Sequence, residues 1–405
     1  MRSSAVRSTP VSSVIRSALA LSVVSALLLV VSVAQAQTAK VLYNFKGGRD
    51  GANPESSLTP DGAGNFFGTT YYGGLGYGTV FELSPNGQGG WKEAVLYRFC
   101  SAQNCTDGSR PNYSQVIIDG AGNLYGTTFE GGANGSGVVF KLSPAGKSWT
   151  ETVLYSFCSA QDCADGRYPT NGLIADAAGN LYGVGDNGTF ELSPSGGDWM
   201  ERVIYAYSGL SNGAAGLTMD AAGNIFGIIY TDTPSKQAAK IFKLTPDGEG
   251  GWTPTVLHKF SGAPVNGTLV LDAAGNLYGT TGSSNKHDGI VFKLSPGQNG
   301  KWMKKTLHLF QGEADGDDPW AGVVLDATGN IYGTTLYGGQ YGYGIVFELV
   351  PGRHGHYQEK ILWNFNLTDG AASVASLVLD GAGNLYGTTT GGGSNGWGVV
   401  FEVTP

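Results

Sequence analysis

Three observations predict an all-β fold, a seven-bladed β-propeller of four-stranded blades. A turn motif, Asp-x-x-Gly-Asn followed by an apolar or aromatic pair and a glycine, begins at Asp61, Asp119, Asp176, Asp220, Asp272, Asp326 and Asp380, with 44 to 58 residues between successive copies. That period is the scale of propeller and solenoid repeats. Each repeat holds four short runs rich in Val, Leu, Thr and aromatics, bounded by Gly, Asn or Pro. The two ends of the chain carry complementary pieces of one blade.

The first 36 residues stand apart from this pattern. Arg2, Arg7 and Arg16 precede an apolar run from Ala18 to Val33 that ends in Ala34-Gln35-Ala36. This order reads as a secretory signal peptide, and the run is shorter than the roughly 20 residues of a membrane span. Residues 37–405 are therefore expected to form one propeller domain, exported to the periplasm or the medium, with no membrane span after cleavage. No cysteine lies near the cleavage point and no sorting tail follows Val403-Thr404-Pro405, so release is expected.

The strands follow in order. In the fifth repeat they are expected at Gly267 to Leu271, Asn276 to Thr281, Ile290 to Ser295 and Thr306 to Phe310, here called A to D. Between A and B, Asp272 is placed to bond nearby backbone N–H groups while Gly275 supplies a left-handed residue. A second glycine sits inside every B strand, at Gly68, Gly126, Gly183, Gly227, Gly279, Gly333 and Gly387. A missing side chain there implies close approach of a backbone or an aromatic ring. The chain opens with a D-like run, Val41 to Phe45, and closes with a C-like run, Val399 to Val403. Pairing the two would close the ring and leave only short edges, whereas an open solenoid would need distinct capping units.

Composition agrees with a compact β fold. Glycine supplies 66 of 405 residues, apolar residues 41% and charged residues 14%, which suits neither long helices nor disorder. The formal net charge of −8 becomes −11 once the three leader arginines are removed. Such acidity opposes nucleic acid and anionic lipid as partners. A cation, a neutral glycan or a protein ligand is expected instead, bound by a monomer.

Four cysteines occur as Cys100-Ser-Ala-Gln-Asn-Cys105 and Cys158-Ser-Ala-Gln-Asp-Cys163, both in D to A loops. In an oxidising compartment the duplicated spacing favours local bonds, Cys100 with Cys105 and Cys158 with Cys163. A zinc site is the rival, weakened by the four-residue gap and by the lack of an accompanying histidine. No cofactor and no metal is expected, although Asp315, Asp317 and Asp318 offer the oxygen ligands that calcium takes.

Leu-Tyr-x-Phe, Asp-Gly-x-x-Pro, Asp-x-x-Gly-Asn-Leu-Tyr-Gly-Thr-Thr, Gly-Gly and Gly-x-Val-Phe-x-Leu run through the whole chain after the leader. In this the sequence resembles the GloVer tandem-repeat proteins of bacteria. The resemblance implies an exported repeat protein, often with a C-terminal surface anchor, and brings no established activity. The third repeat shortens its B to C loop to Gly185-Asp186-Asn187-Gly188, and the fourth replaces Thr-Thr by Ile228-Ile229.

Alternating strand direction puts the A to B and C to D turns on one face and the B to C and D to A loops on the other. The first face repeats, and its aspartates read as turn formers. The second varies in loop length and chemistry, as a fold does where function is grafted onto it. Its aromatics point to the sector where blades six, seven and one meet, through Trp320, Tyr341, Tyr343, Trp397, Tyr72 and Tyr77. Such rings offer flat apolar faces to a sugar or a partner protein; the plainer reading is that they pack their own loops. Enzyme signatures are scarce. His258 and His308 stand where other D strands have tyrosine, His354 and His356 fall in a C to D turn, and only His287 lies on the variable face. The leading expectation is a non-catalytic binding propeller. The alternative is a glycan-directed hydrolase or lyase using acids on the same face, for which paired carboxylates in one pocket would be the mark.

Overall fold

The computed structural model describes residues 37–207, 214–230, 238–284 and 288–405. The expected leader and His287 lie outside the described residues, as does most of the loop between Tyr230 and Ala239.

The strands form seven four-stranded antiparallel sheets arranged as a ring. Blade five is built from Val265–Leu271, Leu277–Thr281, Ile290–Pro296 and Trp302–Leu309. Its D strand begins at Trp302, four residues earlier than the sequence indicates, because Trp302 still pairs with Pro296. Six blades are continuous in sequence. The seventh combines Val378–Leu379, Leu385–Thr389 and Val399–Thr404 with Thr38–Asn44 from the start of the chain, and Thr38 pairs with Thr404.

That borrowed strand is a D strand in detail. In every other blade the C to D pairing shifts register just before the C-strand phenylalanine, as between Val80 and Phe81 or Val291 and Phe292. The closing pair has the same bulge, with Val41 opposite Phe401, Tyr43 opposite Val400 and Leu42 extra. A bulge lets one strand present an additional residue, which explains why Val-Leu-Tyr-x-Phe does not alternate.

The B-strand glycines each lie directly opposite that phenylalanine, Gly68 facing Phe81 and Gly387 facing Phe401. A Cβ built on any of the seven glycines would come within 2.4 to 2.8 Å of the ring. The ring lies over the glycine and in five blades meets the last phenylalanine of the preceding blade edge-on, as in Phe45 with Phe81 at 5.2 Å and Phe99 with Phe140 at 5.0 Å. The core accordingly consists of clusters between blades. One joins Leu42, Phe45, Tyr386 and Val400 of blade seven to Phe66 and Phe81 of blade one, so the N- and C-terminal strands share a core with the next blade.

A Thr-Thr pair follows the glycine in five blades, and in blades one, two, five and seven its first threonine ties neighbours together. Thr69 donates to Ser114 O at 2.9 Å, Thr280 to Ala321 O at 2.8 Å and Thr388 to Ser56 O at 3.1 Å, each across a blade junction. In blades one, two, six and seven the second threonine closes its own loop, as Thr70 does on Tyr72 O at 2.8 Å. Blade four has Ile228 and Ile229 here, both buried, and apolar packing replaces these bonds.

Candidate ligand-binding site on the variable face

The A strands enter from the variable face, and the start of each is fixed by the Asp-Gly-x-x-Pro segment. Asn53, Arg110, Tyr168 and Asp318, just before the prolines, are left-handed at φ 54°, 55°, 53° and 56°. Their N–H groups donate to the preceding blade's loop, Asn53 to Trp397 O at 3.0 Å, Arg110 to Tyr77 O at 2.7 Å and Tyr168 to Ser136 O at 2.8 Å. The proline then fills the space left by a loop glycine, and a Cβ on Gly78 would lie 2.6 Å from Pro111 Cδ. This clasp delivers the residue after each proline to the centre of the ring.

There a cavity of about 260 Å³ is lined by residues of all seven blades. Its polar wall includes Ser57, Asn112, Gln115, Thr170, Asn171, Asn266 and Ser376, and its rings are Tyr113, Tyr230 and Trp320. Asn266 is 3% exposed and its Nδ2 has no hydrogen-bond acceptor. A buried donor left unused is uncommon in folded proteins. Tyr230 is held from behind by its hydroxyl, which donates to Val265 O at 2.6 Å. Among the described residues the lining holds one carboxyl, that of Glu55, and burial pushes it up to about 7. Beside it the Tyr113 phenol is pushed up to about 12, by burial first and by the Glu55 charge second.

The six aromatics singled out in the sequence do not converge on one point. Trp320 is half-buried and lines the axial cavity. Tyr72 and Trp397 flank a separate shallow depression between blades seven and one, where Trp397 covers Gly47 and Gly48 forms part of the floor. Tyr77, Tyr341 and Tyr343 line neither, and are 38%, 50% and 38% exposed. Tyr77, Tyr343 and Trp397 hold equivalent loop positions whose carbonyls accept the clasp bonds, Tyr343 from Ala372 N–H at 3.2 Å. Their backbones are structural and their rings project.

The disulfides join Cys100 to Cys105 and Cys158 to Cys163. The seven motif aspartates form the turns. Asp119 accepts from Ala121 and Asn123 N–H at 2.9 Å each and from Asn123 Nδ2 at 2.7 Å, and the other copies repeat this. Burial alone raises the Asp119 carboxyl, but the Asn123 side chain and backbone donors outweigh it and hold it below the usual carboxylate range. Asp317 and Asp318 accept from Ser283 on blade five, whereas Asp315 accepts from Gln311 N–H. Among the described residues the group of three metal-capable side chains brought within 4.8 Å of one another is His308, Asp315 and Glu359; it includes one of the three aspartates.

Sequence reasoning missed Glu55, Tyr113, Tyr230 and Asn266. A faint signal existed for Glu55, since it is charged at a post-proline position occupied by Asn112, Thr170 and Trp320 in other repeats.

The Gloeobacter/Verrucomicrobia repeat matches residues 92–281 and 214–405. No curated protein matches in sequence. Among solved structures, a polysaccharide lyase described as an ulvan lyase bound to -[GlcA(1-4)Rha3S]- has a TM-score of 0.53 at 11% identity, covering 90% of this chain and 95% of that one. The polysaccharide lyase Uly1 has a TM-score of 0.51 at 12% identity, covering 91% and 92%. A domain assigned as the extracellular part of a hybrid two component system of B. thetaiotaomicron has a TM-score of 0.53 at 14% identity, covering 91% of this chain. The chain spans 41% of that protein. At such identities the likeness is one of fold. Among the described residues no helix is long and apolar enough to cross a membrane.

Proposed function

The chain belongs to the Gloeobacter/Verrucomicrobia repeat family, and we propose that it is an exported, non-catalytic propeller that binds a neutral glycan at the axial cavity of its variable face. The observation that carries this reading is the cavity lining. Amide and hydroxyl groups from several blades surround three aromatic rings, with the carboxyl of Glu55 among them. Sugars present hydroxyls that both donate and accept together with apolar C–H faces, and amides and rings answer both needs. A volume of about 260 Å³ lies just below the roughly 300–1,000 Å³ of sites for drug-sized ligands, which suits one sugar unit or the end of a chain. The projecting rings of Tyr72, Tyr77, Tyr341, Tyr343 and Trp397 extend the surface for a longer ligand. Two disulfides and the apolar leader agree with export.

A glycan array probed with residues 37–405 tests the reading. Trp320→Ala and Asn266→Ala should each weaken retention of the bound glycan at least tenfold, while Tyr341→Ala/Tyr343→Ala/Trp397→Ala should affect only longer ligands. Undiminished retention by both cavity variants would move the site elsewhere, and an array with no retained glycan would remove the ligand class.

One observation favours a second reading, a glycan-directed lyase. Glu55, pushed up to about 7 by burial beside the Tyr113 phenol, is matched to proton transfer near neutral pH. A hydrolase of the two-carboxylate kind needs a second acid, and among the described residues this lining holds the carboxyl of Glu55 alone. Ultraviolet-absorbing unsaturated products from an acidic polysaccharide, lost in Glu55→Gln, would establish the lyase over the binding protein.

A further inference from the structure

On the outer rim, three blade junctions share one arrangement. A D-strand tyrosine donates to an aspartate in its own D to A loop, and a glutamate of the next D strand stands beside that aspartate. Tyr43 reaches Asp50 Oδ2 at 2.7 Å and Glu93 Oε2 at 3.4 Å. Tyr97 donates to Asp107 at 2.7 Å beside Glu151, and Tyr155 to Asp165 at 2.7 Å beside Glu201.

Between blades five and six the tyrosine is replaced by His308, with Asp315 and Glu359 in the acidic positions. His308 Nε2 lies 3.9 Å from Asp315 Oδ2 and 3.6 Å from Glu359 Oε1, too far for hydrogen bonds. Both Nε2 and Oε1 are buried and have no partner. The ring packs edge-on against Phe310 at 4.5 Å. Where the three tyrosine junctions hold a hydroxyl bonded to the aspartate, this one holds a gap bounded by one nitrogen and two carboxylates; a glutamate oxygen is unpartnered at those junctions too, and the unpaired nitrogen is what sets this one apart.

We propose that this junction binds a divalent transition-metal ion, with zinc the best match, through His308 Nε2, Asp315 and Glu359. Zinc sits about 2.0–2.2 Å from nitrogen and carboxylate ligands, so two of its ligand atoms lie up to roughly 4 Å apart. The spans of 3.6 and 3.9 Å are of that size. A nitrogen ligand selects against calcium and magnesium, which take oxygen. The ion would satisfy both orphaned atoms and offset two neighbouring carboxylates. Asp315 is already oriented by Gln311 N–H at 3.1 and 3.2 Å, as supporting hydrogen bonds orient metal ligands elsewhere. Because His308 and Glu359 belong to different blades, binding would staple one junction of the ring.

The test uses tag-free residues 37–405 stripped of metal. Calorimetric titration with zinc should show one site per chain, and saturating zinc should raise the Tm by several degrees, whereas calcium at the same concentration should not. His308→Tyr recreates the arrangement of the other junctions, so it should fold normally, take up no zinc at this site and lose the Tm shift. Should that variant fold poorly, Glu359→Gln decides, with affinity lowered at least tenfold. Absence of zinc uptake by the unmodified chain, or uptake unchanged in both variants, overturns the assignment.

Discussion

Gly126 faces Phe140 across the B and C strands of blade two, and a methyl group added to it would lie 2.7 Å from Cζ of the ring and 3.3 Å from a methyl of Val116. Neither neighbour has room to retreat, since Phe140 and Val116 are fully buried. Gly126→Ala should therefore cost about 1–3 kcal/mol, as overpacking of cores does, read as a lower denaturant midpoint. Gly120→Ala is the control. Nothing lies within 4 Å of a Cβ there, and the repeats at Asp176, Asp220 and Asp272 already carry alanine at that position. Equal losses in the two variants would show that the B-strand glycines serve flexibility, not packing. That something must approach these glycines was legible in the sequence. Its identity as the C-strand phenylalanine was not, because it depends on the B to C register across loops of unequal length.

At the scale of elements, Thr38–Asn44 completes blade seven and also brings Leu42 and Phe45 into the cluster shared with blade one. Deleting residues 38–45 removes both and exposes the edge of Val399–Thr404, so the variant should melt several degrees lower or aggregate. Unchanged melting would mean that pairing of the chain ends adds nothing to the ring. The closure was readable because Val41 to Phe45 carries the same pattern as Val95 to Phe99 and Ile361 to Phe365. The bulge that places Leu42 between two paired residues was not, since a run of apolar residues does not say which of them faces the neighbouring blade. The axial site was less legible still. The cavity wall takes a few ordinary residues from every repeat, and only closure of the ring makes Glu55, Tyr113, Asn266 and Trp320 neighbours.

Over the whole molecule, two sets of carboxyls pull stability in opposite directions with pH. Burial, with a nearby aspartate adding to it, pushes Glu93 and Glu151 up to about 7 and Glu201 up to about 8. These groups face Asp50, Asp107 and Asp165 respectively, with Tyr43, Arg98 and Lys46 also near Glu93. In the unfolded chain a glutamate titrates near 4.3. Between that value and about 7 or 8 the folded state holds protons that the unfolded state has released, so stability falls as pH rises through this window. The turn aspartates Asp61, Asp119, Asp176, Asp272, Asp326 and Asp380 behave oppositely. Burial raises them, hydrogen bonds from the following asparagine and backbone lower them further, and the net result is below the usual range. Their contribution is present above about pH 4 and is lost as pH falls through the lowered values. The Tm should consequently peak near pH 5 and decline toward both pH 8 and pH 3. Glu93→Gln/Glu151→Gln/Glu201→Gln should lessen the alkaline decline, to which Glu55 still contributes, and leave the acid limb in place, because the turns are untouched. A Tm that climbs steadily from pH 5 to pH 8 in the unmodified protein would show that these glutamates are ionised in the fold, with the blade junctions relaxing to admit water.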